Sequence, residues 1–297
     1  MVSVLILTKN EEQDLPGCLE SVSWCDDIHV LDSYSSDATV SIAEEKGVFI
    51  TQRMFDGYAS QRNAGLALDF KYNWIFILDA DERIPIALHR IIIEGIKRAG
   101  DNVAGFRIRR RDFLGHSWLK YAQLSPFFIR LVKKGKVYYH REINEVIEAD
   151  GLIEELDGYF DHYPFSKGYR HWLEKHNTYS TMEAERWVEE QRGCFYFSWR
   201  KALFAKDFTE RRFHQKGLFY KMPCRPLIKW IYMVFVRKAF LDGKAGLTYA
   251  ALQFAYEYFI VLKTREILSY KKSAEITTSE SALMINRKKE EQSIVNR

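Results

Sequence analysis

"WIFILDADERIP", residues 74–85, is the stretch that decides the fold. The apolar run Trp74-Ile75-Phe76-Ile77-Leu78 stops abruptly at Asp79-Ala80-Asp81-Glu82-Arg83. A run this short and this apolar reads as a buried strand. Its end then carries Asp79, Asp81 and Glu82 almost side by side. Like charges this close raise one another's pKa unless positive groups hold them. The sequence therefore predicts a strand that delivers acids to a site, with cations brought in from elsewhere in the chain.

Working outward, strand-like runs recur at 2–8, 28–32, 48–52 and 103–109, with helical patterns at about 12–23, 38–46, 58–70 and 85–98. This alternation predicts βαβ units, and so an α/β fold with a mostly parallel sheet and helices on both faces. Ligands of such sheets sit beyond the carboxyl ends of the strands, where Asp79 and Asp81 stand. Asp32 ends the second strand in the same way, and Asp37 follows it. A carboxylate there can accept hydrogen bonds from a base or ribose; a turn and a helix cap explain the same residues. Asp79 and Asp81, two positions apart, can share a site with a divalent ion, Mg²⁺ or Mn²⁺, which prefers oxygen ligands and bridges to substrate phosphates.

With 297 residues and 47% hydrophobic content the chain has ample material for a large core. Aromatics, at 15%, exceed what a core needs and point to ring-lined surfaces. Cys18, Cys25, Cys194 and Cys224 form no C-x-x-C pair and read as reduced thiols of a cytoplasmic protein. Val2 to Thr8 has no secretory signature. The longest later apolar run, Ile231 to Val236, falls far short of the roughly 20 residues of a spanning helix.

The second half reads differently. Residues 110–165 are irregular and aromatic, with a strand at 127–132. A helix is expected over about 168–192, with His171 and His176 as packing or surface residues. Residues 200–230 hold nine Lys/Arg against Asp207 and Glu210, interleaved with aromatic rings. Such a segment can bind nucleic acid, lie on an anionic membrane surface, or be a solvated basic face. The basic residues flank the apolar patch 227–236 and no nucleic-acid module is present, which favours the membrane and argues against nucleic acid. A second apolar helix follows at about 247–262. The Ser/Thr/Lys/Glu-rich tail, 271–297, is expected to be disordered. The domains expected are 1–165, 166–270 and the tail.

Four stretches in order, "VSVLILTKNEE", "HVLDSYSSDAT", "FDGYASQRNAGLAL" and "WIFILDADE", resemble glycosyltransferase family 2, and more narrowly its bacterial lipopolysaccharide core glucosyltransferase-like branch. The later stretches "LGHSWLK", "FFIRLVKKGKVYYHREINEVIEADG", "DHYPFSKGYRHWLEKHNTYS" and "KAFLDGKAGL" extend the resemblance to about residue 265. It implies a GT-A fold with a Rossmann-like sheet, and an inverting, metal-dependent transfer of a hexose, glucose foremost, from a UDP-sugar to a lipid-linked saccharide. The enzyme would lie peripherally on the cytoplasmic face of the inner membrane. Thr8, Asn10 and Glu11 would line the nucleotide pocket and Asp32 would bind the uracil end. Gln61, Arg62 and Asn63 would approach nucleotide or donor sugar. Asp79 would hold ribose or sugar and Asp81 the metal, with Asp79 and His162 as further candidate ligands. Arg130 would clamp diphosphate or acceptor. Glu145 would be the base that takes the acceptor's proton, with Glu142 as its competitor; Asn144 stands where the family has His before that Glu. A nucleotidyltransferase on a related sheet is the competing enzyme reading, opposed by the acidic "TKNEEQDLPG" where a phosphate loop belongs. A non-catalytic membrane or nucleic-acid binding protein is opposed by the intact Asp79, Asp81 and Glu145 set.

Overall fold

The structure is a computed structural model that describes residues 1–140, 146–192, 198–205 and 207–295, the backbone alone from 271 onward. It divides into two compact units, one of Met1–Tyr169 with Ala239–Gly246, the other of Arg170–Lys238 with the chain from Leu247.

The first unit alternates as the apolar runs require: β1 (Ser3–Thr8), α1 (Leu15–Ser21), β2 (Ile28–Asp32), α2 (Thr39–Glu45), β3 (Phe49–Gln52), α3 (Tyr58–Leu66), β4 (Trp74–Asp79), β5 (Glu82–Arg83) and α4 (Ile86–Arg98). There follow β6 (Val103–Leu114), β7 (Ser117–Trp118), β8 (Phe127–Lys133), β9 (Val137–His140), β10 (Val146–Ala149) and β11 (Leu152–His162). The main sheet has the order β3-β2-β1-β4-β8-β6-β11-β5. From β3 to β4 every pairing is parallel, and β6 and β11 are also parallel neighbours. β8 enters antiparallel between β4 and β6, and β5 lies antiparallel on β11. β7 adds a short antiparallel pairing on β6. Mostly parallel therefore holds, with three reversed strands, β5, β7 and β8, that hydrophobic patterning cannot orient. β9 and β10 form a separate hairpin.

Alternating residues of the central strands feed two cores, as period-two side-chain direction dictates. Val4, Ile6, Phe76 and Leu78 pack with Leu88 and Ile92 of α4, Phe106 and Phe160. Leu5, Ile75 and Ile77 pack on the other face with Ala59 of α3 and Tyr139. Each such side chain contributes about 1.5–3 kcal/mol. Gly65 sets how closely α3 approaches: a Cβ there would lie 2.6 Å from Leu5 Cδ2 and 3.4 Å from Leu31 Cδ2.

The parallel register brings Thr8 level with Asp32, and Leu7 with Asp79. The carboxyl ends of β1, β2 and β4 thus end together. Their amino ends meet at Asp27, which is 3% exposed. Its carboxylate accepts from Ser3 Oγ at 2.5 Å and the Lys71 amide at 2.9 Å, and pairs with His29 Nε2 at 3.0 Å.

The second unit is helical: most of α5 (Gly168–Arg192), then α6 (Trp199–Phe204), α7 (Phe208–Lys221) and α8 (Arg225–Ile231), which runs into a π-helical turn at Tyr232–Val236, and most of α9 (Gly243–Val295). Asp207 caps α7 by accepting the Glu210 amide at 2.7 Å. Trp187 stacks on Tyr220 with ring centroids 4.5 Å apart, and His176 stacks on Trp172 at 3.5 Å as a packing residue. α9 continues through 271–295, where composition points to disorder; Lys and Glu are frequent there and favour helix. Among the described residues no helix is long and apolar enough to cross a membrane, and Cys18, Cys25 and Cys224 are free.

Candidate active site

The acids of "DADE" are held by cations from three other elements. Asp79 meets Arg62 of α3, with Nη2 at 3.1 Å from Oδ1, and Arg130 of β8, with Nη2 at 2.9 Å from Oδ2. Arg130 also donates to Glu82 Oε1 at 2.5 Å, while Glu82 Oε2 accepts the Asp79 amide at 3.0 Å. Burial opposes the charge on Asp79, yet Arg62 and Arg130 overcome it and hold the carboxyl well below its usual range. Glu82, 1% exposed, is pushed up to about 7 by burial in spite of Arg130. Asp79 keeps 35% of its side chain exposed, so this pair of guanidiniums carries a carboxylate that still faces outward.

Asp81 has a different partner. The antiparallel pairing of β5 with β11 sets His162 opposite Glu82 and brings its Nε2 within 3.3 Å of Asp81 Oδ2. His162 Nδ1 is anchored on Asp112 of β6, 2.5 Å from Oδ1. Burial works against a charged His162, but Asp81 and then Asp112 outweigh it and raise its pKa to about 9. Arg83 ties the turn down, donating to the carbonyls of Ala80 at 2.7 Å and Asp14 at 2.8 Å.

The loops after β1 and β2 complete the rim. Asp32 is fully buried and accepts from Thr8 Oγ1 (2.9 Å), Ser35 N (2.8 Å), Ser35 Oγ (2.5 Å) and Gln52 Nε2 (3.2 Å). These donors keep it ionised against burial. All its strong acceptor positions are engaged by the chain itself. Asn10 sits in the left-handed region at φ 55° and accepts the Ser36 amide at 2.8 Å. Glu11 Oε1 pairs with Lys167 at 2.8 Å, whereas the buried Oε2 has no hydrogen-bond partner among the described residues. Burial lifts Glu11 to about 7, with Lys167 opposing and Asp81 adding to the rise.

Of the expected trio on α3, only Arg62 turns to Asp79. Gln61 Nε2 donates to Ser33 Oγ at 3.1 Å, and Asn63 exchanges two 2.8 Å hydrogen bonds with the backbone of Tyr139. Both brace the rim. Glu145 and Glu142 lie outside the described residues. Sequence reasoning missed Glu82 as the second anchor of Arg130, Asp112 behind His162, and Lys167 on Glu11.

Residues 3–148 match the family described as glycosyl transferase family 2. A lipopolysaccharide core biosynthesis glycosyltransferase of Rhizobium meliloti, LpsC, is 30% identical over 229 residues, 73% of this chain and 82% of the relative. The chain belongs to glycosyltransferase family 2. An uncharacterized glycosyltransferase of Rickettsia felis is 36% identical over 84 residues, 28% of this chain and 29% of that one. Among solved structures, S. aureus TarS 1–349 is similar with a TM-score of 0.43 and 13% identity, covering 92% of this chain and 91% of its own.

The residues of this glycosyltransferase fit a divalent ion in a specific way. Among the described residues no group of three His, Cys, Asp or Glu side chains converges as a ligand set. Asp81 Oδ2 and His162 Nε2 face each other at 3.3 Å, and Asp112 holds the other nitrogen of the imidazole. A carboxylate behind a histidine is the usual support of a histidine ligand. Two protein ligands suit an ion that takes its remaining oxygens from water and substrate phosphates. Asp79, expected as a possible third ligand, spends its oxygens on Arg62 and Arg130.

Proposed function

We propose that this family 2 enzyme transfers a hexose, glucose foremost, from a UDP-sugar to a sugar hydroxyl of a lipid-linked saccharide such as lipopolysaccharide core, with inversion. The observation that carries the reading is the division of labour at the end of β4: Asp79 held by two arginines, Asp81 facing an anchored histidine. In this reading Asp81 and His162 hold Mg²⁺ or Mn²⁺, which would supply Lewis acidity toward the diphosphate leaving group. Asp79, fixed by Arg62 and Arg130, positions ribose or donor sugar. Thr8, Asn10 and Asp32 shape the base end of the pocket through their loops; the contact of Asp32 with uracil requires Ser35 or Gln52 to give way. Glu145 takes the acceptor proton, a role that rests on the family resemblance. The similarity to LpsC supports the lipopolysaccharide core acceptor.

The membrane reading rests on the helical unit. Leu227, Ile231, Tyr232, Phe235 and Val236 are 44–66% exposed on α8 and the π-helical turn. Apolar residues exposed together in this way mark interaction surfaces, and basic residues nearby would favour the anionic cytoplasmic face of the inner membrane.

Calorimetric titration with UDP, with and without Mn²⁺, tests the donor site. Metal-dependent binding that disappears in Asp81→Ala is the expected result. Absence of UDP binding under every metal condition would end the UDP-sugar reading.

A further inference from the structure

Within the helical unit lies a cavity of about 430 Å³, walled by Trp187, Phe254, Tyr258 and Val261. Its size falls in the range of small-ligand pockets, about 300–1,000 Å³. Arg225 stands in its lining and is 4% exposed. The guanidinium lies 4.3 Å from the Tyr220 ring centroid, and its Nε is 2.9 Å from Glu257 Oε1. Glu257 Oε2 is shared with Lys229 Nζ at 3.2 Å. Glu183, hydrogen bonded to the Tyr220 hydroxyl at 3.1 Å, has its own cation in Lys216 at 3.2 Å. Arg225 and Lys229 therefore outnumber Glu257 by one positive charge. The Nη2 of Arg225 is buried and has no acceptor among the described residues. A charged donor left unmet in apolar surroundings is unfavourable, and an oxyanion is the partner a guanidinium fork fits best.

The cavity wall continues outward. Leu227, which lines it, is 48% exposed, and Ile228 and Ile231 of the same helix are also exposed. An apolar path thus leads from the surface of α8 to a buried cation. We propose that this cavity takes the acyl chain of a phosphate-headed lipid, with the phosphate received by Arg225 and Lys229. The lipid is either a bilayer phospholipid or a single lipid molecule that carries the acceptor. The second source rests on the lipid-linked acceptor proposed above; the first rests on neither that nor the donor site.

Cys224 lines the same cavity and its thiol is free and exposed, so it reports occupancy. The full chain would be alkylated with N-ethylmaleimide and the Cys224 peptide followed by mass spectrometry. Dodecyl phosphate below its micelle concentration is expected to slow alkylation about tenfold, a 1.4 kcal/mol effect. Dodecyl maltoside and inorganic phosphate, each with half of the required chemistry, should leave the rate unchanged. Val261→Trp fills the cavity without touching the ion pair and should abolish protection. Should that variant fail to fold, Arg225→Lys, which keeps the charge and removes the fork, should require several-fold more dodecyl phosphate. Protection by phosphatidylglycerol vesicles as well would assign the bilayer as source; protection by monomeric dodecyl phosphate alone would assign a singly presented lipid. Equal protection by dodecyl maltoside, unaltered protection in both variants, or no protection by dodecyl phosphate would each overturn the proposal.

Discussion

The two ends of one parallel sheet use the same residue type to opposite effect. At the amino ends of β1, β2 and β4, Asp27 takes hydrogen bonds from Ser3, His29 and the Lys71 amide, and nothing of it faces outward. At the carboxyl ends, Asp79 and Asp81 are met by Arg62, Arg130 and His162, and remain 35% and 25% exposed. Short donors on β1, β2 and the loop before β4 make a clasp. Long cations reaching from other elements stabilise charge while leaving a face for something else. A buried acid is therefore informative about function only together with the identity of its donors and the direction left open.

Arg130→Met would test the comparison most severely. It strands Glu82 and leaves Asp79 with one cation, so a loss of about 3–5 kcal/mol is expected in urea unfolding. A loss under 1 kcal/mol would mean that the carboxyl-end acids do not depend on this cation. Next comes Asp81→Asn. Transfer from a UDP-sugar should fall about 10²–10³-fold, the scale of losing a group that stabilises developing charge, while the urea midpoint stays put. Matching losses of stability and activity would erase the distinction between the two ends.

Asp27→Asn should do the reverse, costing about 1–3 kcal/mol of stability with turnover per folded molecule unchanged. Its sign with pH follows from the depressed carboxyl. Burial opposes ionisation, but Ser3, the Lys71 amide and His29 lower the folded pKa below the ordinary 3.8. The contribution of Asp27 is then full above that value and lost as pH falls through the lower folded one. Unfolding curves from pH 6 to pH 2 should therefore converge for wild type and variant on the acid side. The smallest effect belongs to Asp112→Asn, which removes the charge behind His162. About a tenfold loss of Mn²⁺-supported UDP affinity is expected, read by calorimetry with metal present; unchanged affinity would make the Asp112–His162 contact purely structural.

Much of this was legible before the fold was seen. The apolar runs gave β1 to β4 within a residue or two: β1, β2 and β4 are buried on both faces and leave little else to be, while β3 is a short, mostly exposed edge strand. The position of Asp79 and Asp81 at a strand end followed from the abrupt stop after Leu78. Their partners were not legible. Arg62 and Arg130 lie 17 and 51 residues from Asp79, and Asp112 lies 50 from His162. Those meetings depend on β8 running antiparallel and on the two-residue β5 finding β11. "FFIRLV" says strand without saying which way, and two residues carry no period at all. Asp32 was legible in place, but its saturation by Ser35 and Gln52 depends on loop geometry that composition does not encode.

Gly65 adds a mechanical consequence. Helix α3 carries Arg62 one turn before Gly65 and rests on Leu5 and Leu31 through the absence of one carbon atom. An alanine there would have to displace the Leu5 side chain or lift the helix off β1, and lifting it would carry the guanidinium away from Asp79. The spacing at which Asp79 is gripped is thus set like a shim, by a thickness of material left out between helix and sheet.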